Sequence, residues 1–288
     1  MSTTGPNRRV ERIVPAVATS DGAGVRLKRS IGTRGLDYLD PFLLLDEFRS
    51  DRPDDYIAGF PPHPHRGFET VTYMLAGEMQ HRDHKGNEGN LTAGSVQWMT
   101  AGRGIVHSEM PKQQDGLMWG FQLWVNLPRA DQMCEPRYQD IPPEAVPVVG
   151  DDDGTRVKVL VGEVFGQRGP VQGIATDPLY LDVELAPDAE LAVPVARGHT
   201  AFAYPFDGSG LIGITSDDAG ISVEPSSVVL LGAGDQLLAR AGPAGLRFLV
   251  LAARPLHEPM VRSGPFVLST QEELIQAFKD HRDGVLAS

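Results

Sequence analysis

Two short pairs, His63-Pro64-His65 and His107-Ser108-Glu109, hold side chains that bind divalent metals, and in each pair the candidate ligands are spaced i, i+2. Successive side chains of an extended strand alternate faces, so the two members of such a pair point the same way. If the two strands face one another, three imidazoles and one carboxylate converge. That donor set suits a borderline ion such as Fe, Mn, Ni, Cu or Zn and leaves positions for water or substrate. The chemistry expected is binding of a substrate hydroxyl that then loses its proton more easily. Glu109 is the catalytic candidate, a general base if its carboxylate keeps a free oxygen; otherwise it orients an imidazole from outside the ligand set. A lone His-x-His is more often a solvated pair in a loop, and it is the second pair that lifts the first above that reading.

These residues need strands to hold them. Pro61, Pro62 and Pro64 remove backbone donors around the first pair, so residues 59–69 are extended but cannot form a fully paired central strand. A ligand-bearing strand at the mouth of a barrel fits that restriction. Residues 70–75 are β-branched and aromatic, a core strand. The polar stretch 81–90, with Gly86-Asn87 and Glu88-Gly89, reads as a hairpin. Residues 95–99 form another strand, and Gly102 and Gly104 permit the bend that delivers His107 and Glu109. Residues 119–127, apolar but for Gln122 and Asn126, close this unit. Earlier strands are expected at 8–14, 25–27 and 40–48, with a charged loop at 49–56.

From residue 128 to Asp151-Asp152-Asp153-Gly154 the pattern fades into a proline-rich linker or crossover arm. Strands resume at 157–161, 179–185, 201–206, 211–215, 228–231 and 246–251. Ser269-Thr270-Gln271-Glu272 reads as a capping box, followed by Leu274, Ile275 and Phe278 on one helical face and Gly284 as the stop. The fold class is therefore all-β with one short C-terminal helix. The halves also look like copies: residues 72–77 align with 203–208 and 95–102 with 227–234. On those registers His63 and His65 fall opposite Pro194 and Ala196, and His107 and Glu109 opposite Ala239 and Ala241. None of these four can ligate a metal, which predicts one live barrel and one silent one.

Composition narrows the function classes. The chain has 288 residues, 41% hydrophobic and 22% charged, with 26 basic against 38 acidic residues and a net charge of -12. So acidic a surface disfavours direct nucleic-acid binding, and Arg8-Arg9 is too short to form a basic patch. Only Cys134 is present, so no intrachain disulfide forms. With a polar start over residues 1–12, this predicts a cytoplasmic protein. Apolar runs such as 248–253 are too short to span a bilayer. His81 and His84 are expected to be solvated, His199 to be an ordinary histidine, and Trp98, Met99 and Trp119 to pack the barrel. Cys134 is read as a small hydrophobe, since a redox role needs a lowered thiol pKa.

The residues assembled so far resemble the pirin family of the cupin superfamily. The resemblance is carried by residues 40–48, by His63-Pro64-His65-Arg66-Gly67-Phe68-Glu69, by the run from Gln97 to Pro111, by Trp124-Val125-Asn126-Leu127-Pro128, and by Gly264-Pro265-Phe266-Val267 before a helix. It implies a bicupin: two jelly-roll-like β-barrels in tandem, here residues 1–135 with the metal and 136–288 without. The family's ligands become His63, His65, His107 and Glu109, with iron the first expectation. The general cupin pattern takes its glutamate ligand soon after the two histidines, which here is Glu69; because Glu109 is also present, Glu69 is expected beside the ligand set. Some pirins are quercetin 2,3-dioxygenases, and others are metal- and redox-dependent partners of transcription factors or metabolic enzymes. The resemblance thus implies a quercetinase-type oxidoreductase acting on a flavonol-like aromatic, with a regulatory protein-binding role as the alternative. An open metal position favours the enzyme, because structural metals usually have shells closed by protein. A monomer is expected, the duplication supplying within one chain the two-barrel contact that single-barrel cupins make as dimers.

Overall fold

The computed structural model describes residues 5–150 and 154–287; Asp151-Asp152-Asp153 of the expected linker and the start of the polar N-terminus lie outside the described residues. Two compact units emerge, one made of residues 17–33, 37–143 and 256–288, the other of residues 1–16, 34–36 and 144–255. Each unit takes one end of the chain from the opposite half of the sequence, so the continuous division 1–135 and 136–288 is not the one the contacts draw. The reasons are specific. Strand Val10–Pro15 pairs with Ser227–Leu231 and sets Ile13 opposite Val229. At the other end, Leu274 and Ala277 of the helix pack with Phe266, Leu268 and Leu286, against Val106 from the His107 strand.

In the first unit a seven-stranded antiparallel sheet runs Arg137–Ile141, Val96–Thr100, Phe68–Ala76, Met118–Asn126, Phe42–Ser50, Val25–Ile31, Val17–Asp21. A four-stranded sheet runs Phe60–His65, Ile105–Pro111, Met79–Asp83, Glu88–Leu91. Leu27, Phe48, Met74 and Met118 of the larger sheet pack on Met79 and Leu91 of the smaller. Each such side chain contributes roughly 1.5–3 kcal/mol on burial. The proline-bearing strand Phe60–His65 is an edge, paired only with Ile105–Pro111, as its missing donors require. Gly102 makes the bend before that partner strand: its φ is 49°, and a Cβ there would lie 2.2 Å from the Cys134 carbonyl oxygen.

The second unit is one nine-stranded sheet around a core that includes Val159, Leu181, Val183, Phe248 and Val250. Its path Val10–Pro15, Ser227–Leu231, Thr200–Ile212, Gln236–Ala253, Leu179–Leu185, Arg156–Val161, Val148–Gly150 repeats the larger sheet of the first unit, position for position. The expected strands 201–206 and 211–215 are a single bulged strand, Thr200–Ile212. The expected linker is partly strand, since Arg137–Ile141 pairs with Val96–Thr100. The structural register also corrects the hand alignment. His63 pairs with His107 and His65 with Ile105, while Leu191 pairs with Ala239 and Val193 with Leu237. The counterparts of His63 and His65 are therefore Leu191 and Val193, not Pro194 and Ala196, and they belong to an apolar core.

The C-terminal helix is Gln271–Arg282, and no described helix is long and apolar enough to cross a membrane. Its capping box sits one residue later than expected: Thr270 is the N-cap, and Glu273 reaches back to the Thr270 N–H. The buried stripe is Leu274 and Ala277, while Ile275 is 61% exposed. Phe278, although 43% exposed, stands edge-on to Phe266 at 4.9 Å. In denaturant unfolding, Leu274→Ala is expected to cost about 2–4 kcal/mol and Ile275→Ala under about 1 kcal/mol. Equal losses would show that the helix does not use this face.

Candidate metal centre

Antiparallel pairing places His63 directly opposite His107, and a register shift follows between His107 and Glu109. Residues opposed in an antiparallel pair project to the same face, so both rings and His65, two residues on, turn inward together. The ring centroids lie 4.5 Å (His63–His107), 4.7 Å (His63–His65) and 5.1 Å (His65–His107) apart. One nitrogen from each ring falls within 4.8 Å of the other two. His63 Nδ1 donates to the Pro61 carbonyl at 2.9 Å, which fixes the tautomer and leaves Nε2 as a lone pair.

The burial of this cluster is chemically pointed. His65 and His107 are 3% and 2% exposed, and His65 Nδ1 and both nitrogens of His107 have no hydrogen-bond partner. Desolvation holds the pKa of both rings well below the ordinary histidine value, reinforced by His63 for His65 and by His65 and His63 for His107. Neutral imidazoles with unused lone pairs, converging in a buried place, are what a divalent cation takes as ligands. The three histidines fit such an ion.

Glu109 is 5% exposed but stands outside that tight group. Its Oε1 accepts from the Thr72 hydroxyl at 3.0 Å, and that hydroxyl is 2.9 Å from the Gln122 amide. Glu109 nonetheless lines the same cavity as His63 and His65, with Gln122 and Trp124. The Trp124 ring is 5.1 Å from that of His65, so an indole to which the sequence assigned no site role walls the centre.

Glu69 is turned away from the centre. Thr72 on the same strand reaches Glu109, and Glu69, three residues earlier, has the opposite parity and accepts from Thr100 Oγ1 at 2.7 Å. Its Oε2 is buried without a partner, and desolvation raises its pKa to about 7 against the opposing hydrogen bond from Thr100. Burial, followed by the charges of Glu69 and Asp131, likewise raises the Cys134 thiol, which keeps it protonated.

His81 differs most from expectation. It is 1% exposed, not solvated, because it shares the inward parity of Met79 and lies opposite Glu109; the next residue, Arg82, opposite Ser108, is the one that faces solvent. Its ring meets Tyr138 edge-on at 4.6 Å, and neither nitrogen is hydrogen-bonded. His84 is exposed, with Nε2 2.9 Å from the Ala287 carbonyl oxygen. His199 is partly buried, and Trp98, Met99 and Trp119 pack in the interior.

An antiparallel barrel repeated along one chain, with a histidine cluster in the first copy, defines a tandem cupin. Residues 24–125 match the Pirin family model and residues 180–287 that of the Pirin C-terminal cupin domain. The chain is 43% identical to human pirin over 281 residues, 97% of this chain and 94% of that protein. It is 48% identical over 272 residues, 93% of this chain and 94% of the relative, to a Pseudomonas aeruginosa protein provisionally named a quercetin 2,3-dioxygenase. A solved quercetin 2,3-dioxygenase from Acinetobacter baumannii superposes with a TM-score of 0.89 at 30% identity, covering 98% of this chain and 99% of that one. The chain belongs to the pirin family.

The raised pKa of Glu69 makes a testable statement about stability. A carboxyl whose folded pKa, about 7, lies above its unfolded value near 4.5 binds more protons when folded, so its contribution is intact at low pH and is lost as pH rises between those values. Wild type is expected to lose on the order of 2–3 kcal/mol relative to Glu69→Gln between pH 4.5 and pH 8. Denaturation midpoints of both proteins measured across that range check this, and parallel curves would refute it.

Proposed function

We propose that His63, His65 and His107, with Glu109, hold one divalent ion, iron first among Fe, Mn, Ni, Cu and Zn, and that the centre is a flavonol 2,3-dioxygenase. The observation that carries this reading is the convergence of His63, His65 and His107, with buried nitrogens of His65 and His107 unpartnered, beside a cavity of about 670 Å³ that His63 and His65 line together with aromatic side chains. That volume lies within the roughly 300–1,000 Å³ of small-molecule sites. The likeness to the Acinetobacter quercetin 2,3-dioxygenase supports the choice of reaction.

When bound, a divalent ion supplies Lewis acidity that lowers the pKa of a ligating hydroxyl. The chain's own residues do the rest. Phe48, Phe60 and Trp124, with Leu27 and Leu44, form apolar and aromatic surfaces against which a flat ring system lies. Glu109 stands at the end where the histidines converge, and the Thr72 hydroxyl occupies Oε1, so Oε2 is the oxygen that accepts the proton of the flavonol hydroxyl. Apolar walls keep water from the deprotonated ring while dioxygen reacts with it.

Iron-loaded protein is expected to consume quercetin and oxygen together. His107→Ala should fall below about a tenth of the wild-type metal content and lose activity with it. Glu109→Gln should keep metal at reduced affinity and slow turnover by about 10²–10⁴-fold, the usual range for a lost general base. Metal analysis beside an oxygen-electrode assay checks all three proteins. Flavonol loss that is indifferent to metal, or full activity in Glu109→Gln, would defeat the reading.

A further inference from the structure

The cavity that opens from the histidine cluster has two guanidinium groups in its walls, and they are in opposite electrostatic conditions. Arg29 is saturated: Nε and Nη2 donate to the two Asp46 oxygens at 2.8 and 2.6 Å, and Nη2 also reaches Asp21 at 2.6 Å. Arg262 comes from the C-terminal segment, at the short strand Val261–Ser263. It forms no ion pair with a described residue; Nη1 donates to the neutral Leu43 carbonyl at 2.8 Å. Its guanidinium lies 5.1 Å from the centre of the Trp124 ring, and the Trp124 ring lies 5.1 Å from that of His65.

Two equal steps along one indole thus connect a cation without a carboxylate partner to the metal-binding histidines. A partly buried guanidinium in this condition favours an anion brought to it, and a planar, forked group such as a carboxylate matches its geometry. Burial, then the charge of Arg29, lowers the pKa of Arg262 from the ordinary arginine value, outweighing the opposing charges of Asp37, Asp46 and Asp21. The wall between the two ends is aromatic, so the ligand that satisfies both is a flat aromatic with chelating oxygens at one end and an anion at the other.

We propose that Arg262 is a specificity-determining residue and that this cavity selects aromatic ligands carrying a carboxylate or sulfonate remote from the chelating oxygens. The chelating end rests on the metal reading above; the anion subsite rests on Arg262 alone. A purely structural Arg262, holding Leu43 and Trp124, would leave the protein indifferent to ligand charge.

The test is calorimetric binding to zinc-loaded protein, in which no oxidation intervenes. The probes are 3-hydroxyflavone, its 4′-carboxylate, and 2-naphthoate, which has no chelating hydroxyl. Wild type should bind the 4′-carboxylate about tenfold or more tighter than 3-hydroxyflavone. Arg262→Gln should reduce that ratio to about one, and Arg262→Lys should retain part of it, with zinc content and thermal midpoint recorded for each variant. Equal affinities in wild type, or a preference that survives in Arg262→Gln, would overturn the proposal. If neither flavone binds zinc-loaded wild type but 2-naphthoate binds in an Arg262-dependent way, the flavonol reading fails and the anion subsite stands. Absence of Arg262-dependent binding for every anion overturns the subsite while leaving the metal centre untouched.

Discussion

The pairing of His107 with His63 across one antiparallel ladder is the constraint on which the centre depends. It brings two rings to the same face, and the i, i+2 spacing adds His65 beside them. A buried polar atom without a partner costs about 1–3 kcal/mol, and this cluster leaves three ring nitrogens of His65 and His107 in that state. Neutral rings reduce the penalty but do not remove it. Such a cluster lowers the stability of the folded chain unless something binds the lone pairs, which is the condition under which three imidazoles can hold a cation.

The strand that carries two of these histidines is poorly suited to stand alone. It is an edge, and its prolines remove donors from the ladder. What anchors its end comes from the far end of the sequence. Arg66, directly after His65, bridges to Phe266 through the backbone, and its buried guanidinium reaches Asp280 on the helix at 2.7 Å and the Leu286 carbonyl at 3.1 Å. Before the His107 strand, a Cβ on Gly104 would meet the Leu286 carbonyl oxygen at 2.2 Å, so this C-terminal stretch packs against the bend that precedes His107. The helix is therefore a support of the barrel that carries the histidine cluster, and the same segment contributes Arg262 and Pro265 to the cavity.

Much of this was legible from residue types, and the misses share one cause. Proline and glycine placement located the edge strand and the bend, because those residues restrict backbone conformation locally. The histidine pairs were legible because period 2 is a local rule. Whatever depended on the partner of a segment was not. His81 was read from its polar neighbours, yet its inward face was decided by pairing with the Glu109 strand. Glu69 looked close to the histidines along the chain, and parity on Phe68–Ala76 turned it to the other face. The exchange of chain ends was invisible because neither Ile13 nor Leu274 signals in sequence which apolar surface it will cover.

The two barrels supply an internal comparison that separates fold from function. Strand order is repeated, and so is the pairing that sets residue 63 against 107 and residue 191 against 239. At the repeated positions one barrel holds His63, His65 and His107, and the other holds Leu191, Val193 and Ala239, which join an apolar core. The ladder fixes where side chains converge; residue type decides whether the convergence is packing or chemistry. Apolar side chains meeting there stabilise the fold directly, at about 25 cal/mol per Å² removed from water. Imidazoles meeting there forgo part of that gain and leave ring nitrogens unpartnered, and the barrel that carries them is also tied to the C-terminal segment through Arg66, Phe266 and the helix.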